Sequence, residues 1–350
     1  YSIMMTEPQG PVYMVYDAGM QEAELTENIQ IPHKDAVRVP PRIATTPDQI
    51  DEVADMLLAS EYPVLLTEYA ARMPIGYEPT VALAETTGAA VYDVNKRLGI
   101  PNRHPQNVSF HNDAFFDADL VMALDVVDWT KGSQKPNWET REVESLCKPD
   151  CKWIDVGFAD IEISKWATDY NKHHNWDKRI LADTTTAIPA LTEACAIRIG
   201  NDPKLAARIE DRKQVIAEKH TNQWNKWQEE VKDRWDDDPM HESRMASEVW
   251  GVIKDEDWVL TAGTLKTWTL KTWDFNTPYR HPGRELGTAT QIGLSLGVAL
   301  AHKGTDKLVV DLQPDGDLMF DLGALWMASK YEIPILVVMY NNRAYYNDWA

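Results

Sequence analysis

Short apolar runs that alternate with helical patterns are the feature that most constrains the fold of this chain. The runs are "PVLLT" (63–67), "AAVYDV" (89–94), "DLVMALD" (119–125), "KWIDVGF" (152–158) and "RILAD" (179–183). Helical patterns occur between them, for example over 79–87 and 186–197. Strands this short and rich in β-branched residues are typical of a parallel sheet that helices cover on both faces. The sequence therefore predicts an α/β fold with a doubly wound parallel sheet.

A second series of the same kind follows a long charged helix predicted over 202–235. Trp224, Trp227, Val231 and Trp235 recur in that helix at helical spacing, so we expect them to pack against a neighbouring element. The next elements predicted are helix 242–253, strand 258–263, helix 290–302, strand 307–312, helix 321–331 and strand 335–340. We therefore expect a second doubly wound parallel-sheet domain.

The pattern divides the chain into five predicted parts. Residues 1–28 contain one strand-like run, "GPVYMVYD", and 29–43 have the proline-rich composition of a linker. We expect a central α/β domain over 44–200, a helical connector over 201–240 and an incomplete α/β domain over 241–350. Because the chain begins at Tyr1 and stops soon after an apolar strand, we expect it to be an excerpt of a longer one.

Charge and cysteine content restrict the partners and the compartment. A net charge of −20 disfavours nucleic acid and anionic membranes as partners, and no apolar run is long enough to span a bilayer. Three cysteines in 350 residues are typical of a reducing cytoplasm, where we expect this protein. Cys147 and Cys151 have no second pair at zinc-ligand spacing, so the sequence does not predict a zinc site.

Polar residues follow the last two predicted strands. Asp315-Gly316-Asp317 comes after the strand at 307–312, and Asn341-Asn342 comes after the strand at 335–340. Parallel sheets bind ligands outside the carboxyl ends of their strands, and 27 residues separate Asp315 from Asn342, enough for one helix and a return strand. Carboxylate and carboxamide oxygens suit Mg2+. We therefore predict a Mg2+ site, with Gly316 allowing the backbone to approach a phosphate closely.

This pair of segments, "PDGD" and "YNNRAYY", resembles the cofactor-binding motif of thiamine-diphosphate-dependent enzymes, and nearly the whole chain is similar to their acetolactate synthase-like branch. The resemblance implies that Asp315, Asn342 and the carbonyl of Ala344 ligate Mg2+. It also implies that residues 1–28 are the end of a pyrimidine-binding domain and that 241–350 bind the diphosphate. One departure is that Pro314 stands where the motif has its first glycine.

The resemblance further implies which residues contact the cofactor. They are Gly263, Thr264, Leu265, Gly287, Thr290, Ile292, Gly316, Asp317, Ala344 and Tyr345. The bulky apolar residue that usually lies beneath the cofactor corresponds most closely to Thr290, or to Ile292 if the loop shifts. We expect no FAD, because Glu68 and Tyr69 in "LLTEYAARMP" stand where FAD-binding members often have glycines and would crowd a flavin phosphate.

The expected activity follows from the same resemblance. It implies decarboxylation and carboligation of a 2-oxo acid or related ketone in a homodimer or homotetramer. The activating glutamate is expected in the pyrimidine-binding domain, so no catalytic acid or base is predicted within this chain. Alternatives are a decarboxylase, a C–C hydrolase or lyase on the same scaffold, a family member without chemistry, and a non-catalytic ligand-binding or scaffold module. His104 and His111 lie in a loop that either faces substrate or, as most loop histidines do, faces solvent.

Overall fold

Two parallel sheets with helices on their faces form the architecture of this protein. The computed structural model describes residues 1–25, 27–70, 76–94, 98–130, 132–137, 139–140, 142–158, 174–263, 265–280 and 290–343. The strands are β1 Pro63–Thr67, β2 Ala90–Asp93, β3 Leu120–Leu124, β4 Gln134–Pro136, β5 Val143–Ser145, β6 Lys152–Val156, β7 Lys178–Ile180, β8 Trp258–Gly263, β9 Leu308–Pro314 and β10 Leu336–Tyr340. The helices are α1 Ser2–Met5, α2 Ala18–Glu22, α3 Pro47–Ala59, α4 Tyr77–Thr87, α5 Thr184–Asn201, α6 Pro203–Asp233, α7 Glu242–Ile253, α8 Trp268–Thr272, α9 Gln291–Ala301, α10 Asp315–Phe320 and α11 Gly323–Lys330. The α/β fold predicted from the sequence is confirmed.

The central sheet has the strand order β2-β1-β3-β6-β7, and all of its strands are parallel. Strand β1 shows why its sequence is apolar throughout: Leu65 packs into the core on one face, whereas Val64 and Leu66 pack into the core on the other. A strand that is buried on both faces favours apolar side chains along its whole length. The run "PVLLT" therefore predicted both the strand and its burial on both faces.

Helix α6 links the two sheets. Trp227 and Val231 are buried, and Trp224 and Trp235 pack beside them, in the core that also contains Trp258 and Trp273 of the C-terminal part. The prediction that the tryptophans of this helix pack against a neighbour is confirmed. This apolar stripe explains how a helix with so many charged residues packs against the core of the protein.

The second sheet has the order β10-β9-β8 and is also parallel. Helix α9 lies against β8 and β9, where Ala299 packs with Val259 and Val309. Because β9 is the central strand of this sheet, its carboxyl end lies between those of β8 and β10. The adjacency of the strands before Asp315 and Asn342, which their sequence spacing predicted, is confirmed.

The structure differs from the sequence predictions in three places. The run "GPVYMVYD" forms no strand, and its side chains are exposed, because no other described segment pairs with it. The helix predicted over 321–331 is confirmed as α11, but the short helix α10, which begins directly after β9, was not predicted. The antiparallel hairpin of β4 and β5 was not predicted, because its strands are short and largely polar. Among the described residues, no helix has the length and hydropathy needed to cross a membrane.

Candidate cofactor site at the carboxyl ends of the second sheet

The carboxyl ends of β8, β9 and β10 meet at one edge of the second sheet. Gly263, the last residue of β8, is level with Leu312 of β9, and Tyr340 of β10 is level with Pro314. The segments that follow these strands therefore start side by side. This edge brings together the predicted residues Gly263, Asp315 and Asn342, which are far apart in the sequence.

Asp315 and Asn342 are in direct contact at this edge. The backbone N–H of Asn342 donates a hydrogen bond to Oδ1 of Asp315, at 3.1 Å, and both residues are half-buried. The bond fixes the carboxylate beside the carboxamide residue. Among the described residues no group of three or more His, Cys, Asp or Glu side chains could hold a metal, so a cation here would need amide and backbone oxygens as well. A carboxylate beside a carboxamide is a hard oxygen donor set that fits Mg2+.

A second contact ties helix α9 to the segment after β9. The side-chain amide of Gln291 donates a hydrogen bond to Oδ2 of Asp317. Burial raises the pKa of the Asp317 carboxyl group above its usual value. Since Gln291 is the first residue of α9, this bond places the start of that helix at the same edge as Asp315 and Asn342.

Buried polar side chains on β9 support the same edge. Asp311 and Gln313 are fully buried, and the amide of Gln313 donates to Oδ2 of Asp311 at 2.7 Å. Nearby, the Thr261 hydroxyl on β8 donates to Oγ of Ser295 on α9 at 2.7 Å. The sequence pattern predicted no role for Gln291, Asp311, Gln313 or Ser295. The one available signal was Asp311, a carboxylate inside the apolar run "LVVDL".

The other predicted cofactor contacts differ in their environments. Leu265 is buried in the core beside β8, and Ile292 is buried with Leu318 and Ala324. Thr290 is exposed immediately before α9. Gly316 is the second residue of α10. Thr264, Gly287, Ala344 and Tyr345 lie outside the described residues, so their predicted roles, like those of the described contacts, stay predictions.

The central sheet has a comparable edge at the carboxyl ends of β1 and β3, where the order in which the chain adds strands to the sheet reverses. Glu68 follows β1 and is 2% exposed. Its Oε2 accepts hydrogen bonds from the backbone N–H groups of Val127, at 2.7 Å, and Asp128, at 3.1 Å. A ligand phosphate at such a crevice would need backbone donors of this kind. The protein's own carboxylate uses these donors, and the expectation that the chain binds no FAD stays a prediction.

His111 is buried, which corrects the expectation that it faces solvent, whereas His104 is only partly buried. His111 is 6% exposed, and its ring stacks on His220 and meets Trp227 edge-on. Burial, and next the proximity of His220, lower the pKa of His111 to about 4. Nε2 of His104 lies 3.3 Å from Oε1 of Glu85. His111 therefore packs against α6, and His104 lies beside α4.

Comparison with known protein families identifies the C-terminal part of the chain. Residues 261–347 match the family model described as "Thiamine pyrophosphate enzyme, C-terminal TPP binding domain". This range begins within β8 and contains both Asp315 and Asn342. The match therefore covers the edge at which the site was located from its geometry.

Solved structures share the fold of nearly the whole chain. A protein from Mycobacterium smegmatis described as a thiamin diphosphate-dependent enzyme has a TM-score of 0.67 and 18% identity, covering 99% of this chain and 62% of its own. Benzoylformate decarboxylase from Polynucleobacter necessarius has a TM-score of 0.65 and 14% identity, covering 99% of this chain and 60% of its own. The thiamine diphosphate-dependent 4-hydroxybenzoylformate decarboxylase of Rhodococcus jostii RHA1 has a TM-score of 0.57 and 16% identity, covering 88% of this chain and 53% of its own.

The chain thus spans about three fifths of the length of the first two structures and about half of the third. At these identities the structures show a shared fold, and the family match adds a sequence signal at the candidate site. In the sequence of residues 261–347 and in its fold, this protein is similar to thiamine pyrophosphate enzymes.

Proposed function

We propose that this protein is a thiamine-diphosphate- and Mg2+-dependent enzyme that acts on a 2-oxo acid. The observation that carries the proposal is the contact of Asp315 with Asn342 at the edge where three parallel strands end. The family match over 261–347 supports the same cofactor. When bound, thiamine diphosphate supplies an electron sink for breaking the bond next to a carbonyl group.

The described residues would bind and orient this cofactor. Asp315 and Asn342, together with the predicted carbonyl ligand of Ala344, would hold Mg2+, which would supply positive charge for the diphosphate. The Gln291–Asp317 hydrogen bond would keep the segment after β9 in register with the start of α9. No acid or base is assigned to this chain, since the activating glutamate is expected in the pyrimidine-binding domain.

Two reactions are proposed for this site. The similarity to the acetolactate synthase-like branch favours decarboxylation followed by carboligation to a second carbonyl compound. Two of the solved structures that share the fold are a benzoylformate decarboxylase and a 4-hydroxybenzoylformate decarboxylase, which favours decarboxylation alone. Product analysis of the full-length protein with pyruvate and with benzoylformate separates them. Acetolactate would support the carboligase, whereas acetaldehyde or benzaldehyde would support the decarboxylase.

Cofactor binding is the direct test of the site. We expect calorimetric titration of the full-length protein to show thiamine diphosphate binding that requires Mg2+, is lost in Asp315→Ala and is weakened in Asn342→Ala. Asp321→Ala is the matched control, because Asp321 is exposed in the same segment and should leave binding unchanged. Absence of binding by the unmodified protein, or unchanged binding by Asp315→Ala, would contradict the proposal.

A further inference from the structure

Two carboxamides follow β10 in succession, Asn341 and Asn342. The strand ends at Tyr340, so both residues come directly after its carboxyl end. The family resemblance implies that Asn342 is a ligand of Mg2+ and implies no role for Asn341. In the structure the two residues make different contacts, which indicates a different task for each.

The side chain of Asn341 closes a turn around Asn342. Its Oδ1 accepts a hydrogen bond from the backbone N–H of Arg343 at 3.0 Å, two residues further along the chain. This arrangement is an Asx-turn, in which an Asn side chain takes the place of a backbone carbonyl. Because the hydrogen-bonded ring includes the backbone of Asn342, the bond restricts φ and ψ of that residue.

The peptide group on the other side of Asn342 is held by a second hydrogen bond. The N–H of Asn342 donates to Oδ1 of Asp315 at 3.1 Å, across the neighbouring ends of β10 and β9. The two peptide planes that flank the Cα of Asn342 are therefore both fixed, one by Asp315 and the other by Asn341. Since these planes determine the Cα–Cβ direction, the carboxamide of Asn342 can turn only about its own side-chain bonds.

The chain leaves this turn through a residue in a strained conformation. Arg343 has a φ of 66°, in the left-handed region that residues other than glycine rarely adopt. Such a conformation persists only where the surrounding structure determines it, and it is concentrated at functional sites. The N–H of Arg343 is the group that Asn341 binds, so the turn and the strained residue belong to one unit.

We propose that Asn341 is a positioning residue, whose hydrogen bond to Arg343 orients the carboxamide of Asn342 towards Mg2+. The inference rests on the proposed function, which requires that ion. Asn341 acts through Asn342, because its own Oδ1 already accepts a backbone N–H. Groups that orient a metal ligand typically change metal affinity by a factor of about 10–100. The two adjacent carboxamides therefore divide orientation and ligation between them.

Calorimetric titration of the full-length protein with Mg2+, at a fixed concentration of thiamine diphosphate, tests this role. We expect Asn341→Ala to weaken the Mg2+-dependent binding about tenfold. Asn341→Ser keeps a side-chain oxygen that can accept the same N–H more weakly, so its loss should be smaller. Asn341 is exposed, so we expect each variant to fold, and circular dichroism checks that it does.

Asn137 provides the matched control, because it closes a turn of the same kind in the central domain. Its Oδ1 accepts from the N–H groups of Glu139, at 2.9 Å, and Thr140, at 3.1 Å. Asn137→Ala should leave the affinity for Mg2+ and thiamine diphosphate unchanged. An equal loss in Asn137→Ala and Asn341→Ala would show that breaking any such turn weakens binding, and would overturn the proposal.

A double variant with Asn342→Ala separates orientation from an independent contribution. If Asn341 acts through the carboxamide of Asn342, Asn341→Ala should change binding by less than about twofold once that carboxamide is absent. Losses that multiply in the double variant would overturn the proposal, as would unchanged binding by Asn341→Ala alone, and both outcomes leave the proposed function intact. Absence of binding by the unmodified protein would overturn the proposed function together with this inference.

Discussion

One carboxamide joins the central domain to the C-terminal α/β domain, and its removal should be measurable. The side-chain amide of Asn102 donates to the carbonyls of Leu270, at 2.8 Å, and Trp273, at 2.9 Å. Its Oδ1 accepts from the backbone N–H of Phe275 at 2.9 Å. Replacement by alanine deletes all of these bonds while leaving the backbone of both domains unchanged.

The expected loss follows from the number and environment of the bonds. Each hydrogen bond contributes about 0.5–1.5 kcal/mol net, so three contribute roughly 1.5–4.5 kcal/mol. Asn102 is half-buried, so water can replace part of what is lost. We therefore expect Asn102→Ala to lower the free energy of unfolding by about 2–3 kcal/mol. Asn102→Asp should be at least as harmful, because a carboxylate cannot donate to two carbonyl groups.

Urea unfolding of the full-length protein, followed by tryptophan fluorescence and circular dichroism, measures this loss. Asn276→Ala is the matched control, since Asn276 is exposed in the neighbouring segment and should change the free energy of unfolding by less than about 0.5 kcal/mol. If Asn102→Ala were no less stable than Asn276→Ala, the carboxamide would not hold the two domains together and the reasoning would fail.

Three further predictions concern buried groups. Glu68→Ala leaves two backbone N–H groups without their acceptor and should cost about 2–4 kcal/mol in urea unfolding, with a smaller loss in Glu68→Gln. Burial lowers the pKa of His111 to about 4, so between pH 6.5 and 4 the unfolded chain binds more protons than the folded protein. The free energy of unfolding should therefore fall as the pH falls from 6.5 towards 4. In His111→Phe this fall should be smaller, as measured by urea unfolding at a series of pH values. Trp273→Phe removes the indole donor to the carbonyl of Ala246 at 2.8 Å within a fully buried site, and should lower the thermal unfolding midpoint by several degrees in calorimetry.

The strands were predictable because burial on both faces requires an uninterrupted run of apolar residues, which is visible in the sequence. The runs that became β1 and β3 had no polar interior position, and each lies within two residues of its predicted bounds. The run "GPVYMVYD" has the same appearance but forms no strand. A strand requires a partner to satisfy its backbone hydrogen bonds, and the pattern of one segment carries no information about its partner.

The candidate site was predictable only where spacing along the chain determines proximity. Asp315 and Asn342 follow neighbouring strands of one β-α-β unit, so the number of residues between them implied the contact. Gln291 meets Asp317 because of the position at which α9 crosses the sheet, which depends on packing and not on sequence spacing. Glu68 was named in the sequence because its bulk would crowd a flavin phosphate. Its two backbone partners, Val127 and Asp128, follow a different strand, so the sequence could not identify them.

Helix α6 has a consequence for any attempt to divide this protein. At 1.5 Å per residue its 31 residues extend about 46 Å. Along that length Ile209, Ile216 and Trp227 each enter a different core. Arg212 also donates from the middle of the helix to the carbonyl of Thr87 at 2.9 Å. A chimera that joined this chain to another protein at residue 240 would keep α6 but replace the residues of the second sheet against which α6 packs. The two sheets should therefore be transplanted together with α6 or not at all.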